Sequence, residues 1–209
     1  MKRILAPSLV LATALALSAC AGSDDPTMDM PGMSASESPS SSDGVHDGEA
    51  FNDADVMFAQ MMIPHHEQAI EMSDVILGKE GIDPEITDLA TQIKAAQGPE
   101  IAQLNIWLDE WGAEQPDDSM GDMDHGDMGD ESMDGMMSEE DMQALEGAEG
   151  AEAGRLFLEQ MIVHHQGAVE MAQTEVEDGS NAAAIEMAST IVSTQSSEIQ
   201  TMEDLLAGL

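Results

Sequence analysis

The chain has 209 residues, with five basic side chains against 43 acidic ones and a formal net charge of −38. A surface of that sign repels nucleic acid and anionic lipid headgroups and attracts cations, which excludes the phosphate-backbone partners. Beyond an N-terminal leader the acidity is spread along the entire mature chain, so most of it reads as a solvated surface. One cysteine, Cys20, permits no intrachain disulfide, and no Ser-His-Asp arrangement, phosphate-cradling glycine loop or Cys-His pair is present for hydrolase or nucleotide chemistry.

Lys2 and Arg3 precede an apolar run over residues 4–17, followed by Leu17-Ser18-Ala19-Cys20 and then Ser, Asp and Pro. Residues 1–19 therefore read as a signal peptide, too short an apolar run to span a membrane comfortably. The small residues before Cys20 resemble the lipobox of bacterial lipoproteins, which implies that Cys20 becomes a lipidated first residue and a membrane anchor. Removing the leader leaves Lys79, Lys94 and Arg155 against the 43 carboxylates, a formal charge of about −40. Residues 20–50 are Ser-, Pro-, Asp- and Gly-rich with Met28, Met30 and Met33 and show no apolar period, so they are expected to be a disordered tether.

From residue 51 the apolar period turns helical. Asn52 or Asp53 caps a first helix reaching about Leu77, with Gly78 and Gly81 to end it and Pro64 predicting a kink. Asp83-Pro84 opens a second helix that runs to Trp111, where Gly98-Pro99 predicts another bend. Residues 112–137 form an insert of Asp, Gly, Met and Ser that the composition marks as flexible. Ser138-Glu139-Glu140-Asp141 resembles a capping box for a short helix through about Leu145. A third long helix is expected over about residues 152–177, and Asn181 starts a fourth.

Residues 58–72, FAQMMIPHHEQAIEM, return as residues 157–171, FLEQMIVHHQGAVEM, at an offset of 99 residues. On a helix, Phe58, Met62, His65, Ala69, Met72 and Ile76 share one narrow stripe, with His66 to the side and Met62 between the two histidines in angle. Phe157, Met161, His164, Ala168 and Met171 repeat it. In the second and fourth helices, Gln97 and Glu100 match Gln195 and Glu198 on the apolar seam. Residues 51–209 thus predict an all-α antiparallel four-helix bundle of two helical hairpins, repeat one over 51–111 and repeat two over 138–209. The two His-His pairs can then meet in one core.

The motif's chemistry follows from its donors. Di-iron bundle sites use Glu-x-x-His, whereas here the same spacing carries Met62-x-x-His65 and Met161-x-x-His164. Thioethers beside imidazoles suit cuprous copper better than magnesium, calcium or iron. His65, His66, His164, His165, Met62 and Met161 are the candidate metal ligands, and Gln97, Glu100, Gln195 and Glu198 are candidates to orient the imidazoles. Glu71 and Glu170 point away from the histidine direction and are expected at the surface. Met120, Met123, His125, Met128, Met133, Met136 and Met137 of the insert are candidates for loose capture of a soft metal.

The residues Phe58, Met62-Ile63-Pro64-His65-His66, Ala69 and Met72, their second copy, and Gln97, Glu100-Ile101, Leu104 and Trp107-Leu108 resemble the bacterial secreted proteins collected as domain-of-unknown-function family 305. That resemblance implies a ferritin-like helical bundle and, by analogy with some members, copper binding in the cell envelope. Three readings follow: a lipid-anchored protein that sequesters or hands on copper, a ferritin-like metal-dependent redox enzyme, or a structural module whose histidines satisfy one another. The first is preferred, with no reaction catalysed and the protein partner open.

Overall fold

The computed structural model describes residues 50–116 and 135–209. Helix α1 (Asp53–Leu77) starts where the Asn52 side chain accepts the N–H groups of Ala54 and Asp55, and Asp55 accepts the Asn52 N–H in return. This reciprocal cap satisfies donors that have no partner inside the helix. Helix α2 (Pro84–Trp111) is capped by Asp83 with proline at its first position and ends at Gly112, whose φ of 65° suits a residue without Cβ. Helices α3 (Glu139–Gly147), α4 (Gly150–Asp178) and α5 (Ala182–Gly208) complete the described elements. Ser138 and Asp141 form a capping box on α3, and Asn181 caps α5. Helices α1 and α2 each continue through their internal proline, Pro64 and Pro99.

The long helices pair as two hairpins, α1 with α2 and α4 with α5, and α1 also packs along α4, while α2 and α5 barely meet. Helices α1 and α4 are antiparallel. Asp55 near the start of α1 bonds to the turn after α4, and Gly81 after α1 faces Gly150 at the start of α4. The described residues therefore form the antiparallel four-helix bundle that the repeat predicts, with α3 as a short addition.

Two apolar clusters fill it. One holds Phe58, Met62, Leu104, Trp107, Leu108, Ala168 and Ile191, and the other Met72, Ile76, Ile86, Ile93, Leu145, Phe157 and Met161. The stripes predicted for α1 and α4 are the buried ones, except that Met171 is only half-buried. Glu71 and Glu170 are exposed as expected.

Helix α3 and the residues before it lie on α1 and α4. Leu145 is fully buried, Gln160 donates to the Asp141 carbonyl at 3.0 Å, and Lys79 donates to the Glu146 and Ala148 carbonyls at 2.7 and 2.8 Å. Gln68 of α1 holds the Met137 backbone from both sides, donating to its carbonyl at 2.8 Å and accepting its N–H at 2.7 Å. Gly135, at φ 88°, lies so close to α4 that a Cβ there would stand 2.8 Å from the Val163 carbonyl oxygen and 3.0 Å from Gly167 Cα. Only glycine fits that approach. Both ends of the 112–137 insert thus have described residues, while Met120, Met123, His125, Met128 and Met133 lie outside them, as do Cys20 and most of the 20–50 tether.

Candidate metal centre

The repeated motif brings its histidines together between the two apolar clusters. His65 of α1 and His164 of α4 are buried, with ring centroids 3.8 Å apart and planes inclined by 41°. His66 and His165 are buried too, and each turns toward its own hairpin partner. His66 Nε2 stands 2.8 Å from Glu100 Oε2 of α2, and His165 Nε2 stands 2.9 Å from Glu198 Oε2 of α5. The near-equal distances show that the internal repeat extends to side-chain geometry. Sequence spacing put these glutamates on the seam; it did not tell which histidine of each pair they would meet.

The carboxylates decide the tautomer. A carboxylate oxygen only accepts, so His66 and His165 donate through Nε2, which leaves Nδ1 as the nitrogen that can carry a lone pair. Both Nδ1 atoms are buried and meet no hydrogen-bond partner. His164 presents two buried ring nitrogens outside hydrogen-bond geometry. Burial holds the His164 imidazole well below its ordinary range, helped by the neighbouring His65, His165 and His66, while a contribution from the His65 backbone opposes the shift without reversing it. A ring so placed stays neutral and keeps a lone pair to offer.

Met62 and Met161 are fully buried, one in each apolar cluster. Gln97 and Gln195 are buried with their carbonyl oxygens lacking a donor. Glu100 and Glu198 are the partly open members, with 21% and 16% of their side chains exposed against 0% for the histidines they hold. Among the described residues no three His, Cys, Asp or Glu side chains gather at ligating distance.

A four-helix bundle with paired histidines on facing helices is the class of protein this geometry defines. The family profile for a domain of unknown function, DUF305, matches residues 55–206, and the chain belongs to that family. Its fold is shared by the crystal structure of a candidate secreted DUF305 protein of Streptomyces coelicolor, 33% identical, at a TM-score of 0.66 over 74% of this chain and 91% of that one. It is shared also by CopM in its Cu(II)-bound form, 30% identical, at a TM-score of 0.62 over 74% of this chain and 96% of CopM. CopM has further been determined with Cu(I) and with silver. An uncharacterized protein, L153, of Acanthamoeba polyphaga mimivirus is 45% identical over 62 residues, 30% of this chain, and the match spans 40% of that relative. No helix among the described residues is long and apolar enough to cross a membrane.

Proposed function

We propose that this is an extracytoplasmic, lipid-anchored protein that binds copper as cargo, sequestering it or handing it on. The observation that carries the reading is that the Nδ1 atoms of His66 and His165 are buried without a hydrogen-bond partner, while a carboxylate takes the other nitrogen of each ring. A carboxylate on the far nitrogen of a ligating imidazole fixes its orientation and raises its basicity. The resemblance to CopM, with its copper- and silver-bound forms, supports a soft cation.

In this reading His65, His66, His164 and His165 supply nitrogen, Met62 and Met161 supply sulfur, and Glu100 and Glu198 orient the rings, with Gln97 and Gln195 beside them. Thioether sulfur carries no proton, so it holds a soft monovalent ion without the proton release that a thiol requires. Iron is the weaker candidate, because the two seam carboxylates are engaged with histidine nitrogens. Membrane attachment through Cys20 rests on the residues around it, and mass spectrometry of membrane-extracted protein tests it by showing a diacylated or undecorated Cys20.

A cuprous-copper competition titration against a chromophoric chelator tests the site, using the chain from Ala21 onward beside a variant with His65, His66, His164 and His165 all changed to Ala. The wild type takes metal from the chelator, and the variant loses the tight site while staying helical. Equal binding by both assigns the affinity to the methionine-rich insert and makes the histidines structural.

A further inference from the structure

The start of α1 meets the α4–α5 turn through a polar joint. Asp55 is fully buried, and its carboxylate accepts the backbone N–H groups of Asn52 at 2.6 Å, Ser180 at 3.1 Å and Asn181 at 2.8 Å. The Asn52 side chain also donates to the Asp178 carbonyl at 2.9 Å and the Ser180 hydroxyl at 3.0 Å. Beside them is Glu175 of α4, 1% exposed. Neither of its carboxyl oxygens meets an N–H or O–H donor, and the polar group it faces is the Asp55 carboxyl.

Two facing carboxylates repel unless a positive charge lies between them. The Asp55 oxygens are already taken up by backbone amides, so a hard cation there would lack the several oxygen ligands it needs. A proton requires only the pair. Carried on Glu175, it makes an O–H donor to Asp55 and converts repulsion into a charge-assisted hydrogen bond. Of the charged groups around, Asp55 is the one that acts on Glu175. Asp53 on α1 and Glu177 and Asp178 on α4 are exposed, and the turn into α5 brings the neutral Ser180 and Asn181. Among the described residues the basic side chains are engaged elsewhere, Lys79 with α3, Lys94 with Asp74 and Arg155 with Glu159.

The repeat shows that such a joint is not a requirement of the fold. At the 99-residue offset, Asp55 corresponds to Gly154 and Glu175 to Ile76, and that other joint is apolar, with Gly154 against the Ile86 side chain. We propose that Asp55 and Glu175 form a proton-sharing clasp that ties the two hairpins together at this end and loosens when the proton leaves.

Burial, the hydrogen bond to Asp55 and the Asp55 charge push the Glu175 carboxyl from its usual 4.5 up to about 8. The folded chain then keeps a proton that the unfolded chain releases. Stability therefore falls as pH rises above 4.5 and levels off above about 8.

The chain's two tryptophans report on this joint. Phe51, next to Asn52, stacks on Trp111 at 5.1 Å, and Trp111 stacks on Trp107 at 5.9 Å. The experiment follows the melting temperature and tryptophan emission of the metal-free full chain from about pH 5 to about pH 9, beside Glu175→Gln. Glutamine offers Asp55 an N–H at every pH. The wild type is expected to lose melting temperature across that range and to shift its emission as the proton leaves, while Glu175→Gln loses less and keeps its emission. Asp55→Gly combined with Glu175→Ile, a copy of the apolar joint, is expected to behave as Glu175→Gln does and keeps the test decisive if glutamine impairs folding. Equal pH slopes in wild type and in either variant, or a wild type without a slope, overturn the clasp.

Discussion

At one end of the bundle the hairpins meet through Gly154, Ile76 and Ile86; at the other, at matching positions of the repeat, they meet through Asp55, Glu175 and backbone amides. The backbone arrangement is the same in kind at both, so it is set by the phase of the buried stripes between the ends, and the chemistry at the joints is free to differ. The difference has company. Lys79, Lys94 and Arg155 all serve the half with the apolar joint, and four of the five Phe and Trp side chains, Phe51, Phe58, Trp107 and Trp111, gather in the other.

Four substitutions separate the contributions. Phe157→Ala empties the largest fully buried site in the apolar half and is expected to lower stability by about 4 kcal/mol in denaturant unfolding. Gly154→Asp puts a carboxyl where the counterpart of Asp55 stands but without the three amides, and should cost about 3 kcal/mol by the same measurement, since a buried unpartnered charge has nothing to offset its dehydration. Asp55→Ala leaves the Ser180 and Asn181 amides without an acceptor; a loss of about 2 kcal/mol, with faster amide exchange confined to the α4–α5 turn, is the expected result. Lys94→Met removes an ion pair whose Asp74 side is 58% exposed, and calorimetry should find a change within about 0.5 kcal/mol. A Gly154→Asp variant as stable as wild type would show that the two joints are not chemically distinct.

Much of this was legible in the sequence, because caps and stripes are local signals. Asn52, Asp83-Pro84, Ser138 and Asn181 mark helix starts by chemistry that acts within one turn, and Gln97 and Glu100 betray their inward face by phase alone. What escaped was set by contacts distant along the chain. Asp55 looks like an ordinary first-turn acid until the turn at Ser180 is brought to it, 125 residues away. Glu175 carries no local mark at all, although its partner position Ile76 in an otherwise matching repeat could have singled it out as a carboxyl on a core stripe. The same holds for Gly135, whose backbone close to Val163 becomes visible only when α3 and α4 are placed together. The candidate metal ligands were read from motif spacing, but that Glu100 and Glu198 take Nε2 of His66 and His165 needed their positions in space.

His65 meets His164, its own counterpart in the repeat, so that contact lies on the pseudo-twofold axis and is isologous in the sense used for symmetric dimers. Joining the two halves in one polypeptide changes how such a contact is assembled. A dimer of separate hairpins would come apart on dilution, whereas tethered halves see each other at an effective concentration set by the connection between them. The histidine layer therefore forms at any protein concentration. Off the axis, each half is free to diverge by itself, as Pro64 and Val163, Gln68 and Gly167, and Asp55 and Gly154 have done.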